Sequence, residues 1–284
     1  MEKRTLTVLK LRIITATVLA TGFLLGLFLL PWYGFIVFVG VVTLIGAWEW
    51  ANLAGFASTG QRFIYSLLTG VVMFLVAVYT GLVEGVVYLH EVRHVLVVAG
   101  AWWAIALLWV QGYPSSTVIW SSRWVRALMG WLVIVPCWLS LSYLHQEYRG
   151  SLLILLVMIT VIAADTGAYF TGKAFGRHKL LVNVSPGKSW EGFWGGLTAC
   201  LLLALLVEIY TGFVEWQALF IIMLFTSLGS VLGDLLESMV KRHRDVKDSG
   251  SVLPGHGGIL DRIDSITAAA PIFTLGIILS GWSL

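Results

Sequence analysis

The side chains best suited to chemistry are concentrated in one segment, Gly233–Ser265, which reads GDLLESMVKRHRDVKDSGSVLPGHGGILDRIDS. Its first part has polar residues at i, i+3, i+4 and i+7, a spacing that puts side chains on one face of a helix. These residues are Asp234, Glu237, Ser238 and Lys241. Its last part carries Asp261 and Asp264 at the predicted start of another helix. The segment therefore presents carboxylates from two helices around one polar connection.

The connection between these two helices is basic and contains a glycine-rich turn. Its basic residues are Lys241, Arg242, Arg244 and Lys247, and Gly255, Gly257 and Gly258 surround His256. Such a loop beside carboxylates suits a metal-bound polyphosphate, because Mg²⁺ prefers oxygen ligands from carboxylates and phosphates. Lysine and arginine then neutralise the phosphate oxygens that the metal leaves free. The candidate metal ligands are Asp234, Asp261 and Asp264. The alternative is a loop of solvated charges, which the apolar sequence around the aspartates disfavours.

A second polar segment covers residues 163–192 and is predicted to lie on the same side of the protein. Asp165 lies near the end of an apolar stretch, and Ser185–Ser189 reads SPGKS. Its last three letters resemble the end of a nucleotide-binding P-loop, but Val182 stands where that loop needs glycine, and no strand is predicted before it. We predict that Lys188, on a Pro-Gly turn, either contacts a phosphate or anchors the loop. The small residues Gly192, Gly195 and Gly196 predict close helix packing.

The segment His90–His94 spells H-E-x-x-H, in which two histidines one helical turn apart bind zinc and the glutamate acts as a base. It is predicted to lie in a polar connection between the third and fourth spans, on the side opposite the aspartates. About 30 Å of hydrocarbon would separate the two groups, so an aspartate cannot supply the third zinc ligand. The motif is interpreted as a chance occurrence, and a zinc protease is a weak alternative for this chain.

The composition defines the elements that must position these residues. Of the 284 residues, 58% are hydrophobic and 12% are charged, whereas soluble proteins carry charge on about a quarter of their residues. Apolar blocks of about 20 residues recur, and each is long enough to cross about 30 Å of hydrocarbon. We predict an all-α, polytopic integral membrane protein with about nine transmembrane helices. The predicted spans are roughly 13–30, 34–50, 63–83, 95–111, 127–144, 151–170, 191–211, 217–240 and 266–283.

These spans are predicted to form a single membrane domain over residues 1–284. Residues 1–150 are the less distinctive part, and residues 151–284 are the predicted catalytic part. If the N-terminus is cytoplasmic, every lysine and arginine except Arg93 and Arg149 falls on the cytoplasmic side, as the positive-inside rule requires. Because the basic residues are few and lie between spans, the sequence argues against nucleic acid as a partner.

Three residues within or beside apolar runs receive structural interpretations. Glu49 stands between Trp48 and Trp50, which indicates a polar residue at the membrane–water interface. Cys137 and Cys200 lie inside apolar runs, which predicts two buried thiols without a disulfide or a metal framework.

Several positions at fixed spacing resemble the signature of the phosphatidate cytidylyltransferases, also called CDP-diacylglycerol synthases. The matching positions are Ser238, Lys241–Arg242, Lys247–Asp248, His256–Gly257–Gly258 and Asp261–Arg262–Ile263–Asp264. Residues 185–192 and 164–169 resemble the family patterns S-P-G-K-[ST]-W-x-G and A-D-[ST]-G-A-Y. The first 150 residues share only a general hydrophobic character with the family.

The resemblance implies the reaction CTP + phosphatidate → CDP-diacylglycerol + pyrophosphate, a step of phospholipid biosynthesis. It implies CTP, phosphatidate and membrane lipids as partners, a homodimer, and Mg²⁺ or another divalent cation as the cofactor. The expected location is the bacterial inner membrane, with the N-terminus and the active site cytoplasmic. The alternatives are a CTP-using lipid transferase or kinase of related architecture and an ion-coupled transporter, which usually shows related halves and sites at the midplane.

The resemblance also implies roles for individual residues. The predicted catalytic set is Asp234, Lys241, Arg242, Lys247, Asp261 and Asp264, with the three aspartates as metal ligands. The candidates for contact with the triphosphate and the lipid phosphate, where positive side chains would stabilise developing charge, are Lys188, Lys241, Arg242, Lys247 and Arg262. Asp165 is predicted to hold either a metal or the nucleotide. The predicted substrate-binding residues are Asp165, Ser185, Lys188, Ser238, His256, Gly257, Gly258 and Arg262.

Overall fold

The computed structural model describes residues 2–211, 216–253, 255 and 257–281, with side chains for all of these except residues 2–12 and 216. Within these ranges the chain forms ten helices and one short hairpin. The helices are α1 (Glu2–Leu29), α2 (Trp32–Ala54), α3 (Thr59–Tyr79), α4 (Leu89–Gln111), α5 (Thr117–Trp120), α6 (Arg123–Gln146), α7 (Gly150–Phe175), α8 (Trp190–Thr211), α9 (Trp216–His243) and α10 (Leu260–Ser280). The hairpin consists of β1 (Lys179–Leu181) and β2 (Ser185–Ser189).

Eight of the described helices, α2–α4 and α6–α10, are long and apolar enough to cross a membrane. The first helix adds a shorter apolar stretch, Ile13–Leu29. The prediction of an all-α, multi-pass membrane protein is therefore confirmed, and the predicted number of about nine spans is close. The start of the fourth span was placed too late, because α4 begins at Leu89. The first turns of α4 are polar, and averaged hydropathy marks only the apolar part that follows. Helix α10 begins at Leu260, which agrees with the predicted helix start at Asp261 and Asp264.

The hairpin between α7 and α8 was not predicted. Its strands are antiparallel, with Lys179 paired with Ser189 and Leu181 paired with Ser185. The expectation that no strand occurs here is wrong, and Lys188 lies in a strand instead of on a turn. Strands of three and five residues are too short to show a reliable alternating pattern.

Helix α6 lies at the centre of the bundle. It packs against α2, α3, α4, α7 and α10, and side chains such as Leu139 and Leu144 are fully buried. The outer helices expose large apolar side chains instead, among them Leu108 and Ile209, as expected for surfaces that face lipid. The thiols of Cys137 and Cys200 are free and buried, as predicted.

Helices α7 and α8 approach each other closely through small residues. A Cβ atom at Gly192 would lie 2.8 Å from the carbonyl oxygen of Ala168, and one at Gly196 would lie 2.5 Å from that of Ala164. Larger side chains at these positions would force the helices apart, so the predicted role of these glycines in packing is confirmed. The contact fixes α7 against the start of α8, where the hairpin ends.

Candidate active site

An ion pair between the hairpin and α9 joins the two polar segments of the sequence. Lys188 Nζ lies 2.7 Å from Asp234 Oδ2. On the same face of α9, Ser238 Oγ donates a hydrogen bond to Asp234 Oδ1 at 3.1 Å, as the i, i+4 spacing predicts. The structure therefore brings these three predicted site residues together.

Lys241, two turns beyond Asp234, joins α9 to α10. Its Nζ atom lies 3.0 Å from Glu237 Oε1 and 2.7 Å from Asp261 Oδ1. Glu237 is only 2% exposed, and a charge buried to that degree needs a partner. Asp261 also accepts hydrogen bonds from the backbone N–H groups of Ser249 and Gly258, at 3.0 and 2.8 Å. This carboxylate thus holds the polar loop against the start of α10.

Asp264 lies at a point where α9 and α10 are in backbone contact. A Cβ atom at Gly233 would clash with the carbonyl oxygen of Asp264, so the close approach requires glycine there. The carboxyl groups of Asp264 and Asp234 interact electrostatically and repel each other, while Lys188 and Lys241 oppose that repulsion. Asp234 and Asp264 are therefore a neighbouring pair of carboxylates with two lysines around them.

A cavity of about 360 Å³ opens beside Lys188, between α7, the hairpin, α8 and α9. Its polar lining comes from Asp165, Lys173, Lys188 and Ser189, and Phe193 contributes apolar surface. The charge of Asp165 interacts with those of Lys188 and Asp234. A concave site with few polar groups on an apolar wall is typical of small-ligand binding.

Three predicted phosphate contacts are exposed, namely Arg242, Lys247 and Arg262. Arg242 Nε donates a hydrogen bond to the backbone oxygen of Val184 at 3.3 Å, which ties α9 to the turn of the hairpin. Their predicted contact with substrate stays a prediction.

The remaining predicted substrate-binding residues belong to the hairpin and the glycine turn. Ser185 is half-buried at the start of β2. Gly257 has a φ of +83°, and a Cβ atom there would lie 2.9 Å from Asp261 Oδ2, so the turn requires glycine beside that carboxylate. His256 lies outside the described residues, and its role stays a prediction.

Glu49 of α2 supports the site and is buried inside the protein, so the interpretation of it as a residue exposed at the membrane–water interface is wrong. It is 2% exposed, and it accepts hydrogen bonds from the backbone N–H groups of Ile259 at 3.0 Å and Leu260 at 2.8 Å. Ser249 Oγ donates a third hydrogen bond, at 3.1 Å. A carboxylate at a helix N-terminus is favourable, so Glu49 fixes the start of the helix that carries both aspartates. The one available signal in the sequence was a carboxylate within an apolar run.

The H-E-x-x-H motif is part of helix α4, so its predicted placement in a connection is wrong. Ligand atoms of His90, Glu91 and His94 lie within 4.8 Å of one another. His90 Nδ1 lies 3.0 Å from Glu91 Oε2, and His94 Nδ1 lies 3.3 Å from the hydroxyl of Tyr79. None of these described contacts involves the aspartates or lysines of the candidate active site.

The aspartates suit a hard divalent cation by the chemistry of their oxygens. In the described part of the chain, no group of three His, Cys, Asp or Glu ligands other than the one on α4 lies within 4.8 Å. The aspartates therefore form no preformed three-ligand cage. Magnesium is usually bound by one or two carboxylates together with substrate phosphates, and the Asp234–Asp264 pair fits that requirement.

The fold and the site define the class of protein, a multi-pass membrane protein with a polar site built from a hairpin and the ends of its last helices. The chain belongs to the cytidylyltransferase family, whose sequence profile matches residues 10–279. The predicted family resemblance and the prediction of an enzyme are confirmed.

Relatives in three bacteria carry the same name. The chain is 46% identical over 292 residues to the phosphatidate cytidylyltransferase of Pseudomonas aeruginosa, with 96% of this chain and 98% of that protein covered. It is 41% identical over 286 residues to the phosphatidate cytidylyltransferase of Haemophilus influenzae, with 94% and 97% covered. The similarity to the Bacillus subtilis protein of that name is 36% over 174 residues, with 59% and 65% covered.

Proposed function

We propose that this chain is a phosphatidate cytidylyltransferase, which converts CTP and phosphatidate into CDP-diacylglycerol and pyrophosphate. The observation that carries the proposal is the Lys188–Asp234 ion pair, because it unites the hairpin with the carboxylates of α9 and α10. Two relatives that align over nearly the whole chain are named for this activity. A basic, carboxylate-containing site in a membrane protein suits a reaction between a soluble nucleotide and a lipid phosphate.

In this reaction an oxygen of the lipid phosphate attacks the α-phosphorus of CTP. One P–O bond forms, the bond from the α-phosphorus to the bridging oxygen breaks, and pyrophosphate leaves with the electron pair. The attacking oxygen is already anionic, so the step needs no strong general base. The barrier lies in bringing two anions together and in stabilising the leaving group, which positive side chains achieve electrostatically. Lys188 and Lys173, which line the cavity, are the proposed phosphate contacts.

Asp234 and Asp264, with Asp261 one turn away, are the residues that would hold a Mg²⁺ ion. A bound ion of this kind polarises phosphoryl oxygens and neutralises their charge. Asp261 has a second role in the proposal, because it already holds Lys241 and two backbone N–H groups of the loop. Loss of the Asp261 carboxylate would therefore affect both the position of the loop and the electrostatic potential at the site.

We further propose that the enzyme lies in a bacterial inner membrane with its N-terminus and active site on the cytoplasmic side, where CTP is found. Phosphatidate would enter from the leaflet, and membrane lipids would surround the exposed apolar faces of the helices. We also propose that the enzyme is a homodimer, and this part of the proposal rests on the family resemblance.

The direct test is to incubate the purified protein with radiolabelled CTP, magnesium and phosphatidate. We expect labelled CDP-diacylglycerol to form together with pyrophosphate, and the reaction to stop when a chelator removes magnesium. Diacylglycerol should act as the lipid substrate, in place of phosphatidate, only if the enzyme is a lipid kinase. Formation of phosphatidate from diacylglycerol, without a liponucleotide, would overturn the proposal.

Replacing Lys188 by alanine should raise the KM for CTP more than it lowers kcat. A phosphate contact made equally in the ground and transition states contributes to binding and leaves the chemical step nearly unchanged. High CTP should therefore restore part of the rate, whereas high magnesium should not. Asp234→Asn should show the opposite pattern, with a lower kcat and a higher magnesium requirement.

The matched control for Lys188→Ala is Lys179→Ala, which removes an exposed lysine from the other strand of the same hairpin. Steady-state kinetics over a matrix of CTP and magnesium concentrations would measure all three variants. A normal KM for CTP in Lys188→Ala would mean that Lys188 only anchors the hairpin.

A cysteine at Ser251 should react with an impermeant thiol reagent from the cytoplasmic side only, and one at Tyr148 from the opposite side only. Both residues are exposed, and the distribution of lysine and arginine assigns them to different sides. Gly212, which the sequence also assigns to the far side, lies outside the described residues, so Tyr148 represents that side. The native thiols are buried, which keeps the background low. Reversed labelling would contradict the proposed orientation.

A further inference from the structure

Arg126, in the first turn of α6, has two buried guanidinium nitrogens without a hydrogen-bond partner among the described residues. The residue is 7% exposed, and its Nε and Nη1 atoms are buried and make no hydrogen bond. Arg244, which follows the end of α9, likewise has a buried Nε atom without a hydrogen-bond partner. A buried guanidinium nitrogen is normally hydrogen-bonded, so three such nitrogens on two neighbouring arginines require an explanation.

The two guanidinium groups converge on one point at the end of α2. Gly55 ends that helix with a φ of +101°. A Cβ atom there would lie 3.1 Å from Arg126 Nη2 and 3.9 Å from the Cζ atoms of both Arg126 and Arg244. Both guanidinium groups therefore lie within contact distance of the position that a side chain at Gly55 would occupy. Three separate elements of the fold therefore surround this point.

The neighbouring charges that act on Arg126 and on His243 are positive. Arg123 and Arg244 repel the charge of Arg126, and His243 lies beside both Arg126 and Arg244. Among the residues that the structure describes, no ion pair involves Arg126 or Arg244. Neither arginine stacks on an aromatic ring in that part of the chain. The protein thus concentrates positive charge here without supplying the compensating negative charge.

A phosphate group fits this arrangement better than water does. Guanidinium groups match phosphate oxygens with paired hydrogen bonds, and a single anion could satisfy donors from both arginines. Helix α6 begins here, with Ser122 as its N-cap. The positive end of the helix dipole therefore adds to the attraction for an anion. Water would satisfy the hydrogen bonds but would leave two like charges uncompensated.

We propose that Arg126 and Arg244 form a binding site for a phosphate group, distinct from the Lys188–Asp234 site. The group belongs to a lipid headgroup or to a soluble phosphate. The membrane-spanning helices α2, α6 and α9 all contribute to this site at their ends, so either source can reach it. The proposal does not depend on cytidylyl transfer, because it concerns binding by residues outside the Lys188–Asp234 site.

The test measures thermal unfolding of the full chain in detergent, in EDTA so that divalent cations are absent. Sodium phosphate or pyrophosphate is titrated against sodium chloride at equal ionic strength, which removes general screening effects. A ligand that binds the folded protein raises the unfolding midpoint as its concentration rises. In a second arm, native mass spectrometry counts lipids retained from nanodiscs of phosphatidylcholine alone or mixed with phosphatidylglycerol.

We expect wild-type protein to bind the phosphate group, and Arg126→Gln and Arg244→Gln to bind it about tenfold more weakly or worse, as loss of a charged hydrogen bond predicts. Lys188→Ala should keep this binding, which separates it from the active site. Arg177→Gln, at an exposed arginine, controls for net charge. Arg244 is only half-buried, so Arg244→Gln carries the test if Arg126→Gln does not fold.

The two arms identify the source of the phosphate group. Stabilisation in detergent by phosphate or pyrophosphate, lost in the arginine variants, indicates a soluble anion. Retention of phosphatidylglycerol but not phosphatidylcholine, also lost in the variants, indicates a lipid headgroup. Wild-type protein that responds in neither arm, or arginine variants that bind as wild type does, would overturn the proposal.

Discussion

Replacing Asp264 by asparagine should lower the rate of CDP-diacylglycerol formation at least about a hundredfold, as the loss of electrostatic stabilisation of a transition state commonly does. Asparagine keeps the shape of the side chain and removes its charge. Asp261→Asn should lose as much, because the same carboxylate holds Lys241 at 2.7 Å. Turnover is measured at saturating CTP with magnesium varied, and circular dichroism confirms that the helices are intact.

Two controls separate this effect from a general loss of charge. Asp245→Asn removes an exposed carboxylate from the loop between α9 and α10. Its φ is 51°, a conformation that asparagine also tolerates. The double variant His90→Ala/His94→Ala removes the motif on α4. Both should retain near-normal turnover. If Asp264→Asn and Asp261→Asn stay near the wild-type rate when magnesium is limiting, the proposed metal ligands are wrong.

Replacing Glu49 by alanine should destabilise the protein by about 3 kcal/mol or more, because each buried hydrogen-bonding group left without a partner costs roughly 1–3 kcal/mol. The groups affected are the backbone N–H of Ile259 and of Leu260 and the hydroxyl of Ser249. Because α10 then loses its fixed start, kcat should also fall. The midpoint of thermal unfolding and kcat are measured on the same preparation.

A graded series distinguishes positioning of α10 from bulk stability. Glu49→Gln keeps one acceptor oxygen and should lie between wild type and alanine in both measurements. Glu84→Ala, which removes an exposed carboxylate whose described hydrogen bond is to Tyr88, should change neither. If Glu49→Ala lowers the unfolding midpoint but leaves kcat and the magnesium requirement unchanged below that temperature, Glu49 does not position the aspartates.

The parts of the site that follow helical periodicity were predictable from the sequence. The spacing of Asp234 and Ser238 predicted a shared face, and the two side chains are hydrogen-bonded. The spacing also predicted that Lys241 shares this face, and the structure shows that its Nζ atom contacts Asp261 of α10. Local spacing is sufficient for such pairs because the geometry of one helix fixes them.

Contacts between distant segments could not be predicted in the same way. Glu49 and Leu260 are 211 positions apart, and no periodicity links them, so the carboxylate was interpreted from its tryptophan neighbours alone. The Lys188–Asp234 pair depends on a hairpin whose strands are too short to produce a pattern. The start of α4 was placed too late because His90, Glu91 and Arg93 lower the local hydropathy, although the helix continues through them.

The backbone contact at Gly233 determines when the site is organised. With no side chain between them, α9 and the carbonyl oxygen of Asp264 meet directly, so the separation of the two helices is set by main-chain atoms and cannot be relaxed by a change of rotamer. The conformational freedom of the two helices relative to each other is therefore lost during folding and not at each binding event. A substrate meets carboxylates whose helices are already in register, and little of its binding energy is used to order them.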